Sequence, residues 1–313
     1  MYLPYLRARQ FELLALRELL NSQKLHTEIT PILEPIKTSS NNLELAFSAF
    51  QANDRNAFLI VNPTVGEAKG NSSIFLEYLQ KKDGYTFIPA FYYDNNADFI
   101  LSSIKEYNLK ECMIIMSSDM DAKNFRLTNV LFNESVKYIV LSDPQKNRAL
   151  NNLVKNSRKK CFRLDDLFEK RKNNSEFLDI EAHKFSEEHR YFSGDNYTGF
   201  SDYTVIPSEY SEGGSQPKAI VIHLTYLDDE MDIWIRHFTS TTNDSTSDIQ
   251  GKFGEALRKA IAFVENKRLN NLAIDELKNY YSRGHYPGLG TIKKISIKNH
   301  LLVVGKYFDK ELQ

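Results

Sequence analysis

The stretch that decides the fold reads CMIIMSSDMDAKNFRLTNVLFNESVKYIVLSD over residues 112–143. Two apolar runs, at residues 112–116 and 136–141, flank a segment long enough for one helix, and serine and aspartate follow each run. Apolar runs without strict alternation are typical of parallel strands that are buried on both faces by covering helices. The stretch therefore predicts one strand-helix-strand unit with parallel strands.

The same unit recurs along most of the chain. The apolar runs lie at residues 30–36, 57–61, 86–92, 112–116, 136–141, 161–164, 203–206 and 219–224. Helix-like stretches are predicted at residues 9–21, 43–52, 72–82, 96–107, 121–132, 146–157 and 166–191. Because strands and helices alternate and the runs are about eight in number, we expect an α/β protein with a TIM-barrel-like (β/α)8 fold.

The domain organisation follows from length and from the later residues. A minimal barrel needs about 250 residues, and this chain has 313, so we expect one barrel domain over residues 1–313 with additions. Glycine and proline concentrate at 192–218, which predicts long rim loops. Residues 219–239 indicate a projecting β-hairpin, and residues 250–313 a helical C-terminal part.

Composition excludes several classes of protein. Forty basic and 41 acidic side chains leave a formal charge of −1, so no overall basic field attracts nucleic acid or an anionic membrane. The apolar runs are shorter than the roughly 20 residues that span a bilayer, and the first residues lack a signal-peptide core. We expect a cytoplasmic protein without membrane contact. Its two cysteines, Cys112 and Cys161, begin predicted strands and indicate reduced core residues, a catalytic thiol being the alternative.

Polar side chains that follow the predicted strands should meet at one rim, because a parallel barrel gathers the carboxyl ends of its strands. Such a ring could hold a divalent metal such as Mg or Mn, or supply paired carboxylates for acid/base chemistry. The alternative is that each acid only caps the next helix. The ring consists of Glu34, Asn62, Asp94, Asp119, Asp143 and Asp166. The candidate catalytic residues are Glu34, Lys37, Asp119, Asp143 and His223, with Glu34, Asp119 and Asp143 as metal ligands.

Three further features suggest binding. The turn at residues 283–291 is rich in glycine and runs into Lys293, so His285 and Lys293 could receive an anion at a helix start that Thr291 caps; a plain turn is the alternative. Trp234 and Arg236 lie on the hairpin, where an exposed aromatic would contact a partner. His223 sits in a predicted barrel strand, where it either faces the mouth or is a hydrogen-bonded core or surface residue.

Three segments also carry a family resemblance: YLPYLRARQFELLAL at residues 2–16, PILE at 31–34 and SIKNH at 296–300. Together they resemble the bacterial and phage "beta protein" family, whose opening has a Tyr-x-Pro element, an Ala-Leu pair and a Pro-Leu-x-Glu strand. Gln10 and Phe11 stand where a glycine commonly precedes the glutamate, which indicates a divergent branch. The resemblance implies a barrel-like fold and a defence-associated gene neighbourhood, but no reaction. The matching candidates here are Arg7, Arg9, Glu12, Glu34 and His300.

Two functions are expected from these features. The first is an intracellular barrel protein in an anti-phage defence or toxin-related system, which binds a partner protein encoded nearby, or a nucleic acid, through the hairpin and rim loops. The second is a metal-dependent phosphoester hydrolase in which Lys37 or His223 contacts the substrate at the acidic rim.

Overall fold

A computed structural model describes residues 1–82, 86–213 and 217–311. The chain divides into two compact units. The barrel unit comprises Met1–Arg9, Thr27–Asp166 and Glu188–Tyr203, and the second unit comprises Gln10–His26, Leu167–Glu187 and Thr204–Gln313. The hairpin and the C-terminal helices that the sequence predicts therefore belong to the second unit.

Strands and helices alternate through the first half of the chain. The strands are β1 (Tyr5–Leu6), β2 (Ile32–Leu33), β3 (Ala57–Ile60), β4 (Phe87–Tyr93), β5 (Cys112–Ser117), β6 (Val136–Ser142), β7 (Lys160–Asp165), β8 (Ala182–Ser186), β9 (Gly199–Asp202), β10 (Val221–Leu227) and β11 (Ile233–Thr239). The helices are α1 (Gln10–Asn21), α2 (Asn41–Ala52), α3 (Ser72–Lys81), α4 (Ala97–Glu106), α5 (Phe125–Leu131), α6 (Arg148–Asn156), α7 (Glu188–Tyr191), α8 (Ile249–Asn266), α9 (Leu272–Arg283) and α10 (Leu289–Glu311).

The barrel unit is an eight-stranded parallel sheet in the order β1-β2-β3-β4-β5-β6-β7-β9. An isolated parallel bridge between Tyr2 and Phe200 joins its first and last strands and makes the barrel nearly closed. The Leu3 amide donates to the Phe200 carbonyl at 2.9 Å. Only glycine fits at the start of β9, since a Cβ on Gly199 would lie 2.1 Å from the Met1 carbonyl oxygen. The TIM-barrel-like fold is thus confirmed.

The barrel interior and the layer beneath its helices are both apolar. On β5, Met113 and Ile115 pack with residues of other strands inside the barrel, while Ile114 and Met116 pack outward with helix residues. This alternation explains why the run has no polar face, because both sides of the strand are buried. Cys112 and Cys161 are free and buried, as predicted, and burial raises the pKa of the Cys112 thiol to about 12.

The second unit is built on a three-stranded antiparallel sheet in the order β10-β11-β8. The predicted hairpin is confirmed as β10 and β11, but β8 adds a third strand beside β11. Ile222 and Leu224 of β10 pack with residues of α8, α9 and α10, so the hairpin is covered on one face instead of standing free. Helix α1, although it follows β1 in the chain, contacts α10 in this unit.

Three predicted elements are wrong. The run at residues 203–206 is not a strand, and the eighth barrel strand is β9, which ends just before it. The run at 219–224 does form a strand, β10, but in the antiparallel sheet. The helix predicted at 166–191 is replaced by a short 3-10 helix (Asn174–Leu178), β8 and α7. Among the described residues, no helix is long and apolar enough to cross a membrane.

Candidate functional site

Glu34 lies directly after β2, at the carboxyl end of the barrel, and its side chain is fully buried. The Tyr5 hydroxyl donates to one carboxylate oxygen at 2.7 Å. The other oxygen accepts from the Thr64 amide at 2.8 Å and the Thr64 hydroxyl at 2.7 Å. Arg7 completes the set through an ion pair. A buried carboxylate needs such partners, so Glu34 is tied to three segments of the barrel mouth.

Arg7 is held at this mouth by more than its ion pair. Its guanidinium carbon lies 5.3 Å from the ring centroid of Tyr5 and 5.8 Å from that of Tyr203, distances at which a cation interacts with a ring face. The side chain keeps 13% of its surface exposed. Burial, followed by the charge of Glu34, raises the pKa of Tyr5, so its hydroxyl stays protonated and donates. The result is a guanidinium that is fixed in place by one carboxylate and two rings.

Tyr92, at the end of β4, connects this centre to the acidic rim. Burial raises the pKa of its hydroxyl, and the negative charges of Asp94, Glu34 and Asp119 raise it further, while Arg7 opposes them. Charges influence a partly buried group most strongly over short distances. The pKa of Tyr92 therefore responds both to the Arg7 and Glu34 pair and to the carboxylates that follow β4 and β5.

Asp119 and Asp143 do not cap the following helices with their side chains, although Asp143 stands at the N-cap position of a short 3-10 helix (Pro144–Lys146). The caps of α5 and α6 are Asn124 and Asn147, whose side chains accept from backbone amides. Asp119 is exposed and accepts from the Ser117 hydroxyl at 2.9 Å. Asp143 has a left-handed backbone, with φ of 47°, and pairs with Lys146 at 2.7 Å.

Lys146 shows that the rim carboxylates share one electrostatic environment. Its hydrogen bond to Asp143 is the main reason that its pKa is raised, and the charges of Asp119 and Asp166 add to the effect. The charges of the acids that follow β5, β6 and β7 thus act on one ammonium group, which Asp143 alone contacts. Lys37, the cation that the sequence predicts at the rim, is exposed.

The three predicted metal ligands are not brought together as a set. Within the described ranges, no group of three or more His, Cys, Asp or Glu side chains could hold a metal ion. Glu34 is committed to Arg7, Tyr5 and Thr64, which leaves Asp119 and Asp143 on the rim without it.

His223 does not lie in a barrel strand, which corrects the expectation that it could face the mouth. It is on β10 of the second unit, and its Nδ1 lies 2.7 Å from Nδ1 of His237, directly opposite on β11. Two imidazoles at this distance share one proton in a hydrogen bond. Burial lowers the pKa of His223 to about 3. The predicted hydrogen-bonded alternative therefore describes this histidine.

Trp234 and Arg236, the predicted docking residues, both make contacts within the second unit. The Trp234 indole N–H donates to Asp228 at 2.7 Å. Arg236 pairs with Glu181, and its guanidinium carbon lies 4.7 Å from the ring centroid of Phe263. Both side chains are half-buried, and partner docking through them stays a prediction.

The remaining predicted binding residues are dispersed. Arg9 is half-buried in the barrel unit. Glu12 of α1 is fully buried and accepts from Lys293 of α10 at 3.0 Å. His285 is exposed in the turn, whereas His300 is fully buried with its Nδ1 3.3 Å from the Thr225 hydroxyl. Helix α10 begins at Leu289, so Thr291 lies inside the helix and is not its cap.

The sequence did not single out Tyr5, Thr64, Tyr92 or Tyr203. One signal was present: Tyr5 and Arg7 are two residues apart on an extended segment, and such residues point to the same side. Thr64 lies several residues after the end of β3, and Tyr203 begins the loop after β9, so no periodicity marks either residue.

Comparison with protein-family models, with curated proteins and with solved structures finds no match. The resemblance to the "beta protein" family, and the defence role that it implies, therefore stay predictions.

Proposed function

We propose that the barrel mouth binds a small molecule through an anionic group, a carboxylate or a phosphate, which Arg7 receives. The observation that carries the proposal is the fixed guanidinium, which Glu34 holds on one side and the rings of Tyr5 and Tyr203 flank. Guanidinium groups match the planar geometry of oxyanions. One that is already immobilised loses little side-chain entropy when it binds.

The surroundings of Arg7 support a ligand of mixed character. Tyr5, Tyr92 and Tyr203 supply aromatic surface and hydroxyl groups, while Asp94 and Asp119 add negative charge that acts on Tyr92. A ligand with an anionic end and a cationic or hydrogen-bond-donating end would satisfy both regions. By analogy with the fold, ligands of β/α barrels bind at this end of the strands.

The proposal predicts a loss of anion affinity in Arg7→Lys. Lysine keeps a positive charge beside Glu34 but lacks the planar fork, so the dissociation constants for inorganic phosphate and acetate, measured by calorimetric titration, should rise about tenfold or more. Arg55→Lys is the matched control, because Arg55 is also partly buried in the barrel unit but donates to the Ile29 carbonyl, at the opposite end of the strands. Equal affinities in all three proteins would refute the proposal, as would an absence of binding to the wild type.

A second candidate function is divalent-ion-dependent hydrolysis of a phosphoester at the rim. The observation that favours it is that Asp143, Asp119 and Asp166 all act on the one ammonium of Lys146. Because these acids do not form a metal site by themselves, a divalent ion would bind here only together with the oxygens of a phosphoester, for which it would act as a Lewis acid.

The hydrolase candidate predicts a metal-dependent rise in the melting temperature of the wild type that Asp119→Asn abolishes. A ligand bound only by the folded state stabilises it by mass action, and the amide of asparagine removes one negative charge at nearly the same volume. Mg and Mn should be tested with and without phosphate. Asp121→Asn, an exposed acid in the same loop, is the control. If the metals shift neither protein, or shift both equally, this candidate fails.

A further inference from the structure

The second unit contains a cavity of about 310 Å³ that no function described above uses. One wall is aromatic: the rings of Phe168 and Phe177 lie 5.1 Å and 4.9 Å from the ring of His223. The first two turns of α10 also line the cavity, through Ile292 and Ser296. Pockets for small molecules begin at roughly this volume.

Ser296 is the feature that points to a ligand. Its side chain is 2% exposed, it lines the cavity, and its hydroxyl has no hydrogen-bond partner. Buried hydroxyl groups almost always have a partner, because leaving one unsatisfied costs free energy. Serines within helices usually satisfy their hydroxyl group on the carbonyl four residues before, and Ser296 does not. The hydroxyl is therefore placed to donate to a group that enters the cavity.

The charge of the lining favours an anion. Lys170, Arg171 and Lys293 line the cavity, and among the described lining residues there is no carboxylate. Their acidic partners, Glu209, Glu169 and Glu12, stand outside the lining. Helix α10 begins at the cavity and has 23 residues, so its dipole adds partial positive charge.

His223 contributes a hydrogen-bonding group without charge. Burial lowers the pKa of His223 to about 3. Burial, and then the charge of the neighbouring His223, lowers the pKa of His237 to about 2, so the pair is neutral at pH 7. A neutral ring among Phe168 and Phe177 leaves that wall apolar enough for a hydrocarbon or aromatic body.

We propose that this cavity binds a small amphiphilic anion. Its apolar body, an aromatic ring or short aliphatic chain, packs against Phe168 and Phe177, and a carboxylate or phosphate oxygen accepts the hydrogen bond of Ser296. Lys293 and the start of α10 stabilise the negative charge. The site lies within the second unit and does not depend on Arg7 or on the barrel mouth.

The test measures binding of four probes to the full chain by calorimetric titration: phenyl phosphate, benzoate, benzyl alcohol and inorganic phosphate. In the cavity, phenyl phosphate or benzoate should occupy one site, and should bind there at least about tenfold more tightly than benzyl alcohol, which lacks the charge, and than inorganic phosphate, which lacks the ring. The stronger of the two aromatic anions identifies the head group. Repeating the titrations on Arg7→Lys separates the sites, because that variant should bind these aromatic anions in the cavity as the wild type does.

Ser296→Ala should weaken the binding of the aromatic anion about tenfold or more. The melting temperature of the free protein should stay unchanged or rise, since the substitution removes an unsatisfied polar group. Ser282→Ala, an exposed serine on α9 of the same unit, is the control and should bind normally. A larger side chain in Ser296→Leu should fill the cavity and abolish binding. Unaltered affinity in Ser296→Ala, equal affinity for benzyl alcohol, or no binding of either aromatic anion would each overturn the proposal.

Discussion

Glu34→Ala is expected to lower the free energy of unfolding by about 3–5 kcal/mol, the usual cost of removing one partner of a buried ion pair. The substitution leaves the Arg7 guanidinium, whose side chain is only 13% exposed, without its carboxylate. It also removes the acceptor for the Tyr5 hydroxyl and for both Thr64 donors. Chemical denaturation, monitored by circular dichroism, measures the change directly.

Two further variants separate this explanation from a general intolerance of substitution. Glu44 pairs with Lys82 at 2.7 Å, but 45% of its side chain is exposed, so Glu44→Ala should cost less than about 1 kcal/mol. Combining Glu34→Leu with Arg7→Met replaces both charges with apolar groups and should cost less than Glu34→Ala alone. A double variant that is less stable than Glu34→Ala would contradict the assignment of the loss to an unpaired charge.

The barrel was predictable from the sequence because its central strands are buried on both faces. The run at residues 112–116 carries no polar position and that at 136–141 only Lys137, and β5 and β6 form where these runs predict. Strand β1 has only two residues, too few for any periodicity to appear. The wrong helix at 166–191 fails for a different reason: β8 is stabilised by pairing with β11, about 50 residues later, which no local pattern reveals.

The candidate site was predictable only in part, for a related reason. Position after a strand correctly placed Glu34, Asp119 and Asp143 in the barrel unit. Position after a strand could not show that the Glu34 carboxylate is already occupied by hydrogen bonds within the protein, since Thr64, which donates two of them, is 30 residues away in the chain. His223 was misplaced because a buried strand of the second unit has the same composition as a barrel strand.

The sequence also gave no indication of a four-residue ion network in the second unit. Lys294 of α10 lies 2.6 Å from Glu18 of α1 and 2.8 Å from Glu276 of α9. Lys298, one turn later, lies 2.6 Å and 2.7 Å from the same two glutamates. Each lysine is at most 8% exposed and contacts both acids, so the network joins three helices through charges that have little access to water. Adjacent charges in one network are energetically coupled, so single substitutions within it are not additive.

Glu276→Ala should therefore lower the free energy of unfolding by about 3 kcal/mol, because two buried lysines then share Glu18 alone. Glu209→Ala is the control: its pair with Lys170 is exposed, and its loss should cost less than about 1 kcal/mol.

Burial alone would raise the Glu18 pKa, but hydrogen bonds from Lys294 and Lys298 outweigh it and lower that pKa. A lowered carboxyl pKa contributes stability above its ordinary value of 4.5, and this contribution is lost as the pH falls through the folded-state value. Urea denaturation at pH 7 measures the cost of Glu276→Ala. The cost of Glu18→Ala, measured in the same way, should accordingly be full at pH 7 and shrink in acid as the pH falls below that range; a cost of Glu18→Ala that is the same at both pH values would show that packing, not charge, explains the loss.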